Sequence, residues 1–317
     1  MRVVMIGTGD FATPTFRALL GSRHEVAGLV TNPDRPSGRE RETVRPIKQL
    51  AVERGVPVFQ PESINTPEGA AGVRALRPEL LVVADYGQIL SAEVLDAAPH
   101  GGINVHGSLL PKYRGAAPIA WAIYHGEPRT GVTIIRMSTR MDAGDILAQE
   151  GLDILPGETA GELEARLAPL GARLALAVID QIEAGTARGV KQDPAQVTKA
   201  PKLTKEHGLI DWARTAEQVC NQVRAMQPWP TAYTFWHRPG KPPVRLIVVK
   251  AVALPGAGAG DQPPGTVVSG DELVVAAGEG LVKLVSVQPA GRRPMSAEEF
   301  LRGHRVTAGD RFGGETL

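Results

Sequence analysis

The stretch VVMIGTGDFATP, Val3 to Pro14, decides how the first part of the chain folds. An apolar run enters Gly7-Thr8-Gly9, and Ala12 stands where a third glycine would, giving G-x-G-x-x-A. After a strand, such a turn lets the backbone approach a ligand closely and opens a helix. A dinucleotide-binding domain also needs an acid about 20 positions on, at the end of the second strand. Here the second apolar run ends in LVTNPD, with Thr31 and Asn32 near that place and Asp34 beyond. The fingerprint is half-matched. An NAD-dependent dehydrogenase stays open as a reading, as does an α/β protein that uses the turn differently.

Working outward, short runs rich in Val, Ile and Leu (EVAGLV, VPVFQ, LLVVADY, GGINVHG) alternate with amphipathic stretches (FATPTFRALLGS, RPIKQLAVERG, PEGAAGVRAL, SAEVLDAA). That alternation predicts a doubly wound, Rossmann-like, mostly parallel α/β sheet. TGVTIIRMS extends the sheet, and TAGELEARLAPLGARLALAVIDQIEAG reads as a long closing helix, so the first domain is expected over residues 1–189. From 190 to 208 apolar periodicity is missing, and Lys191, Lys199, Lys202 and Lys205 lie among prolines and threonines, as in an exposed linker. Residues 209–317 begin with a helix in DWARTAEQVCNQVRAMQ. Short β-rich pieces follow between Gly/Pro turns, which predicts a small antiparallel barrel of OB-like type. GAGAGDQPPG within it is expected to be a mobile loop.

The chain has 317 residues, 43% hydrophobic and 22% charged, with a net charge of +1. Length allows two domains, and near-neutral charge means that any nucleic-acid contact rests on local patches. The single cysteine, Cys220, excludes an internal disulfide and a cysteine-based zinc cluster. MRVVMIG enters a strand directly, and no apolar stretch is long enough to span a bilayer, so a cytoplasmic protein without membrane attachment is expected. No heptad or long apolar edge asks for a dimer, which makes a monomer the expected state.

The densest chemical signal lies in GGINVHGSLLPKYRGAAPIAWAIYHG and TGVTIIRMSTRMDAGDIL. On a strand INVHG, Asn104 and His106 project from one face. Open α/β sheets place ligands at the carboxyl ends of their strands. An Asn amide beside an imidazole offers N–H donors and a titrating base, suited to addition at a carbonyl carbon. Asp142 and Asp145, in MDAGD, are available to orient the histidine. Spacing alone does not name the reaction, and turn-forming or satisfied polar residues would read the same way. No metal-ligand spacing is present, and none is expected.

INVHGSLLPKYRGAAPI with MDAGDIL downstream resembles the signature of the 10-formyltetrahydrofolate-dependent formyltransferases. GTGDFA, TNPDRPSGR, VPVFQP, DYGQIL, IDWARTAEQVCNQVRAMQPWPTAYT and VQPAGRRPMSAEEFLRG are similar, in order and over nearly the whole chain, to the branch that formylates initiator tRNA. The resemblance implies transfer of a formyl group from 10-formyltetrahydrofolate to the methionyl α-amine of initiator tRNA. It implies Asn104, His106 and Asp142 as the catalytic set. It also implies a folate pocket with Ser108, Leu109, Leu110 and Pro111, the backbone of Tyr86, Gly87, Gln88, Ile89 and Leu90, and the loop containing Arg140, Met141 and Asp145. The same Asn-x-His core serves sugar-nucleotide formyltransferases, the alternative within the family.

NPDRPSGRERETVRP carries Arg35, Arg39, Arg41 and Arg45. The resemblance makes it the insertion entering the acceptor stem, with Arg39 and Arg41 the best candidates for tRNA contact. The linker lysines and Arg292, Arg293, Arg302 and Arg305 would add a second basic surface beside the barrel, expected to bind tRNA. In this reading the Gly7-Thr8-Gly9 turn falls on the acceptor side, where Gly9 lines the site and the Phe11 ring suits a methionine thioether.

Overall fold

Val3, Val4, Met5 and Ile6 are all fully buried, as a central strand covered on both faces requires. A computed structural model describes residues 1–34, 45–254 and 260–316. The chain divides into two compact units, each described by itself. The first comprises Met1–Pro118, Arg129–Asp153 and Leu163–Pro201; the second comprises Ile119–Pro128, Ile154–Glu162 and Lys202–Leu317.

The first unit contains β1 (Arg2–Gly7), β2 (Glu25–Val30), β3 (Val58–Phe59), β4 (Leu80–Ala84), β5 (Gly102–His106), β6 (Arg114–Gly115), β7 (Arg129–Arg136), β8 (Ile146–Asp153) and β9 (Lys199–Ala200). The main sheet runs β3-β2-β1-β4-β5-β7-β8. Its first five strands are parallel, and β7 and β8 are antiparallel additions at one edge. Strand order reverses between β1 and β4, the switch point at which such sheets open a crevice. Helices α1 (Ala12–Leu20), α2 (Pro46–Glu53), α3 (Pro67–Ala75) and α4 (Ala92–Leu95) connect the parallel strands. Thr66 and Ser91 cap α3 and α4 through the N–H groups of Gly69 and Val94. Ala70, Val73 and Val94 pack with Val4, Ile6, Leu81 and Val83 into one core cluster.

The division falls inside two further helices, α5 (Pro118–Tyr124) and α6 (Ala160–Glu183). Residues 190–201, expected as a linker, have mostly exposed side chains, but their backbone is not a free tether. Val190 bridges Ile146, β9 pairs with β6, and the Arg114 N–H donates to the Thr198 carbonyl at 2.9 Å. Backbone pairing leaves no apolar pattern, so the sequence carried no sign of it.

In the second unit, α7 (Ala216–Ala225) starts at a capping box between Thr215 and Gln218. The strands are β10 (Ala232–Arg238), β11 (Lys241–Leu254), β12 (Val267–Ser269), β13 (Val274–Ala276), β14 (Leu281–Pro289), β15 (Met295–Ser296) and β16 (Arg311–Gly313), with α8 (Ala297–Gly303) before the last. They form an antiparallel sheet, β12-β13-β14-β11-β10-β16, with β15 on β14. A bridge from Thr266 to Arg311 and the Phe312 N–H to Gly265 O bond, 2.7 Å, bring its two ends together into a nearly closed barrel. Trp236, Phe300 and Phe312 fill it, and the Trp236 indole N–H is satisfied by Asp310 at 2.9 Å. The loop expected at GAGAGDQPPG lies in part outside the described residues. Among the described residues, no helix is long and apolar enough to cross a membrane.

Candidate active site

β5 delivers Asn104 and His106 to the carboxyl end of the sheet. Asn104 is half-buried and His106 is 5% exposed. The imidazole Nε2 lies 2.9 Å from the Tyr113 carbonyl oxygen. A carbonyl can only accept, so Nε2 carries a proton. That leaves Nδ1 as the nitrogen not committed to a carbonyl, and it faces Asp142 Oδ1 at 3.7 Å.

Asp142 stands in the turn between β7 and β8 with φ of +48°, a left-handed conformation unusual for a residue with a side chain. The same turn brings Gly144 so near the Arg136 carbonyl that any Cβ would overlap its oxygen. The Asp142 carboxylate is held at both oxygens. Oδ1 accepts an Asn104 amide N–H at 3.3 Å, and Oδ2 accepts the Gly115 N–H at 2.9 Å. Asp142, distant in sequence, thus converges with Asn104 and His106 on one point. Asn104 keeps a second amide N–H for a ligand oxygen.

The residues expected around a folate divide by accessibility. Ser108 is fully buried, its hydroxyl donating to Lys112 O at 2.7 Å, and Leu110 is 3% exposed. Both build the turn after β5 and present little surface. Leu109 and Pro111 stay partly open. Along Tyr86–Leu90, Tyr86 and Leu90 are buried in the core, and burial pushes the Tyr86 hydroxyl up to about 12. Gly87 is exposed with φ of +81°, Ile89 is 47% exposed, and Gln88 accepts the Ile64 N–H at 3.2 Å. On the opposite loop Arg140 and Met141 are exposed and Asp145 is half-buried. Exposed apolar side chains and open backbone suit a flat heteroaromatic ring with polar edges.

At the switch point, a Cβ on Gly9 would overlap the Asp85 carboxylate, so any larger residue there would have to displace Asp85. Burial, and then the neighbouring Asp10, raise the Asp85 carboxyl above the ordinary range. Glu164 of α6 is pushed up to about 7 by burial, then by Asp85 and Asp10, while the Phe11 N–H bonded to it opposes the rise. Phe11 is only 6% exposed; its ring lies 3.9 Å from where a Gly171 Cβ would stand, beside Val105. Asn104 and His106 project from the other face of β5, so the structure does not bring Phe11 to them. Arg39 and Arg41 lie outside the described residues.

The place of a dinucleotide-binding acid is taken by neutral groups. Thr31 is fully buried with its hydroxyl on Thr8, and the Asn32 amide donates to the Tyr86 carbonyl at 2.9 Å. Asp34, the next acid along, is ion-paired with Lys48. This arrangement disfavours ribose recognition by a carboxylate. Three potential metal ligands converge, among the described residues, at His24, Asp180 and Glu183, where Arg23 pairs with both carboxylates.

The sequence reading missed several supporting residues. Thr133 bonds Ser108 O at 2.6 Å and accepts the Leu110 N–H at 3.1 Å, and the Gln149 amide donates to both Thr133 and Leu110 O. Gln192 reaches the Asp142 turn, and Arg114 holds Gln192. None forms a motif, because each acts through isolated polar contacts to distant groups; Thr133 and Arg114 lay within quoted stretches without standing out, and Gln149 and Gln192 lay outside them.

Residues 1–179 match the family described as formyl transferase, and residues 202–305 match the formyl transferase C-terminal domain. The methionyl-tRNA formyltransferase of Solibacter usitatus is 45% identical over 314 residues, covering 99% of each chain. That of Bacillus subtilis is 41% identical over 316 residues and 98% of each chain. Among solved structures, an N-formyltransferase from Helicobacter canadensis in complex with folinic acid and dTDP-3-aminofucose is similar at a TM-score of 0.65 and 17% identity, covering 89% of this chain and 98% of that one. HypX from Aquifex aeolicus in complex with tetrahydrofolic acid gives 0.62 and 18%, covering 95% of this chain, which spans 47% of HypX. At these identities the structural likeness carries the fold.

Proposed function

The chain belongs to the formyl transferase family, and from that premise we propose that it transfers the formyl group of 10-formyltetrahydrofolate to the α-amino group of methionyl-initiator tRNA. The observation that carries this reading is the convergence of Asn104, His106 and Asp142 at the end of β5, in a chain 45% identical from end to end to a methionyl-tRNA formyltransferase.

In the reaction the amine nitrogen bonds to the formyl carbon and the bond from that carbon to the folate nitrogen breaks. The amine gives up one proton and the folate nitrogen gains one. Asn104 donates its free amide N–H to the formyl oxygen as charge gathers there; losing such a donor costs on the order of 10²–10³ in rate. His106 holds or releases a proton at Nδ1, the nitrogen not committed to Tyr113, and Asp142 stabilises the protonated ring. Asp142 also holds a water that relays the proton between the two nitrogens. Leu109, Pro111, Gly87, Ile89 and Met141, the accessible members of the folate-side residues, bind the donor's ring.

Arg39 and Arg41 contact the acceptor stem in this reading, and the barrel with its basic residues binds tRNA. Domain limits of 1–189 and 209–317, a monomeric state and a cytoplasmic setting complete the proposal. The test incubates the protein with 10-formyltetrahydrofolate and methionyl-initiator tRNA and looks for acid-stable formylmethionine, with charged elongator methionine tRNA as control. Formylation of an amino-sugar nucleotide instead would select the sugar branch. Absence of turnover on either would end the proposal.

A further inference from the structure

Gln192, in the strap of chain that follows α6, has all four hydrogen-bonding positions of its amide filled. Its two N–H bonds donate to the carbonyl oxygens of Asp142, at 2.7 Å, and Gly144, at 2.8 Å. Its oxygen accepts the fork of Arg114, Nε at 3.0 Å and Nη2 at 2.8 Å. Because Arg114 can only donate and the two carbonyls can only accept, the amide has one orientation. The residue after Arg114 is Gly115, whose N–H holds Asp142 Oδ2. One face of the Asp142 turn is therefore gripped through its backbone and the other through its carboxylate, from a single Arg114-Gly115/Gln192 junction.

The turn needs such a grip. Asp142 occupies the left-handed region, which a residue with a Cβ keeps only when its surroundings over-determine it. Two carbonyls two residues apart, those of Asp142 and Gly144, converge on one amide nitrogen. We propose that Gln192, braced by Arg114, is the positioning residue that holds Asp142 in register with His106 and Asn104. Glutamine is the side chain that suits the place. Glutamate would aim a carboxylate oxygen at two carbonyls, methionine offers no donor, and asparagine falls one carbon short.

This rests on the assignment of Asn104, His106 and Asp142 as the reacting centre. The experiment measures kcat and both KM values for the full chain as wild type, Gln192→Met, Gln192→Glu, Asp142→Asn and the Gln192→Met/Asp142→Asn double variant, with thermal midpoints for each. Misplacement of Asp142 by a fraction of an ångström to an ångström lowers kcat by roughly 10–10² in Gln192→Met, with Gln192→Glu at least as slow. Both KM values stay within about threefold, since every hydrogen-bonding position of the Gln192 amide is spent on the protein rather than on a substrate. In the Asp142→Asn background Gln192→Met costs nothing further, because the group it positions is already gone.

A kcat within about twofold of wild type, a loss carried by KM, or losses that multiply in the double variant would each overturn the proposal. So would midpoints of both Gln192 variants falling to the assay temperature, which would make Gln192 a scaffold residue. A wild-type chain that does not formylate methionyl-tRNA refutes the proposed function itself, whereas an active wild type with unaffected Gln192 variants refutes only the positioning role.

Discussion

Replacing Glu164 with glutamine should remove a pH-dependent weakness beside the Gly7-Thr8-Gly9 turn. Burial, with Asp85 and Asp10 close by, raises the Glu164 carboxyl from 4.5 to about 7 in the folded chain. Between those values the folded state keeps the proton and the unfolded state has released it. Stability is therefore fully present below pH 4.5, drains away as pH rises, and levels off above about 7. At 1.36 kcal/mol per pH unit the ceiling is about 3.4 kcal/mol. Glu164 is only half-buried, and solvent on its open side screens part of this, leaving about 1–2 kcal/mol. Glutamine keeps the shape and still accepts the Phe11 N–H, but carries no charge to desolvate. Thermal melts of wild type and Glu164→Gln at pH 5 and pH 8 read the effect directly. The variant should gain a few degrees at pH 8 for the unit that contains Glu164, and markedly less at pH 5. An equal shift at both pH values, or no gain at pH 8, would refute the argument that charge burial is the cause.

Asn104→Ala and His106→Ala should lower formyl transfer by on the order of 10²–10³ while tRNA binding persists, and near-normal turnover in either would sink their assignment. Phe11→Ala should cost about 3–5 kcal/mol of stability, measured by denaturant titration, since the ring is buried beside Gly171 and Val105. A role in methionine recognition is better read from Phe11→Leu, which keeps most of the volume. If that role exists, KM for methionyl-tRNA rises and the folate KM does not. Binding of methionyl-tRNA should weaken with salt, and Arg39→Ala or Arg41→Ala should each reduce the log–log slope by roughly 0.7–0.9 if each arginine meets a phosphate; unchanged slopes would remove them from the interface.

The fold was largely legible because its signals are periodic. β1, β2 and β4 are largely apolar runs, as strands buried on both faces must be, and the helices between them carry apolar stripes, α3 also a Thr66 cap. Asn104 and His106 were legible for the same reason, since strand alternation places them together. Residues 190–201 were not, because backbone pairing and one glutamine tie them down, and neither leaves a pattern in composition. Ser108 and Leu110 sit inside a motif whose residues all look alike in sequence; only packing separates those that build the turn from those that reach its surface.

What the sequence determined by itself is the order of strands and helices, the strand that bears Asn104 and His106, and the glycines that backbone proximity demands. These follow from local periodicity and sterics, which each short stretch carries whole. Tertiary structure alone decided which nitrogen of His106 turns to Asp142, since the Tyr113 carbonyl that binds the other arrives from a separate turn. It alone decided that Asp142 meets both β5 residues and that Gln192 grips the Asp142 turn from 50 residues away. It also decided that the Gly7-Thr8-Gly9 turn lies against the Asp85 carboxylate, with Glu164 on the Phe11 N–H just beyond. Each of these depends on where distant backbone groups come to rest, and hydrogen bonds to such groups place no periodic constraint on the chain that makes them.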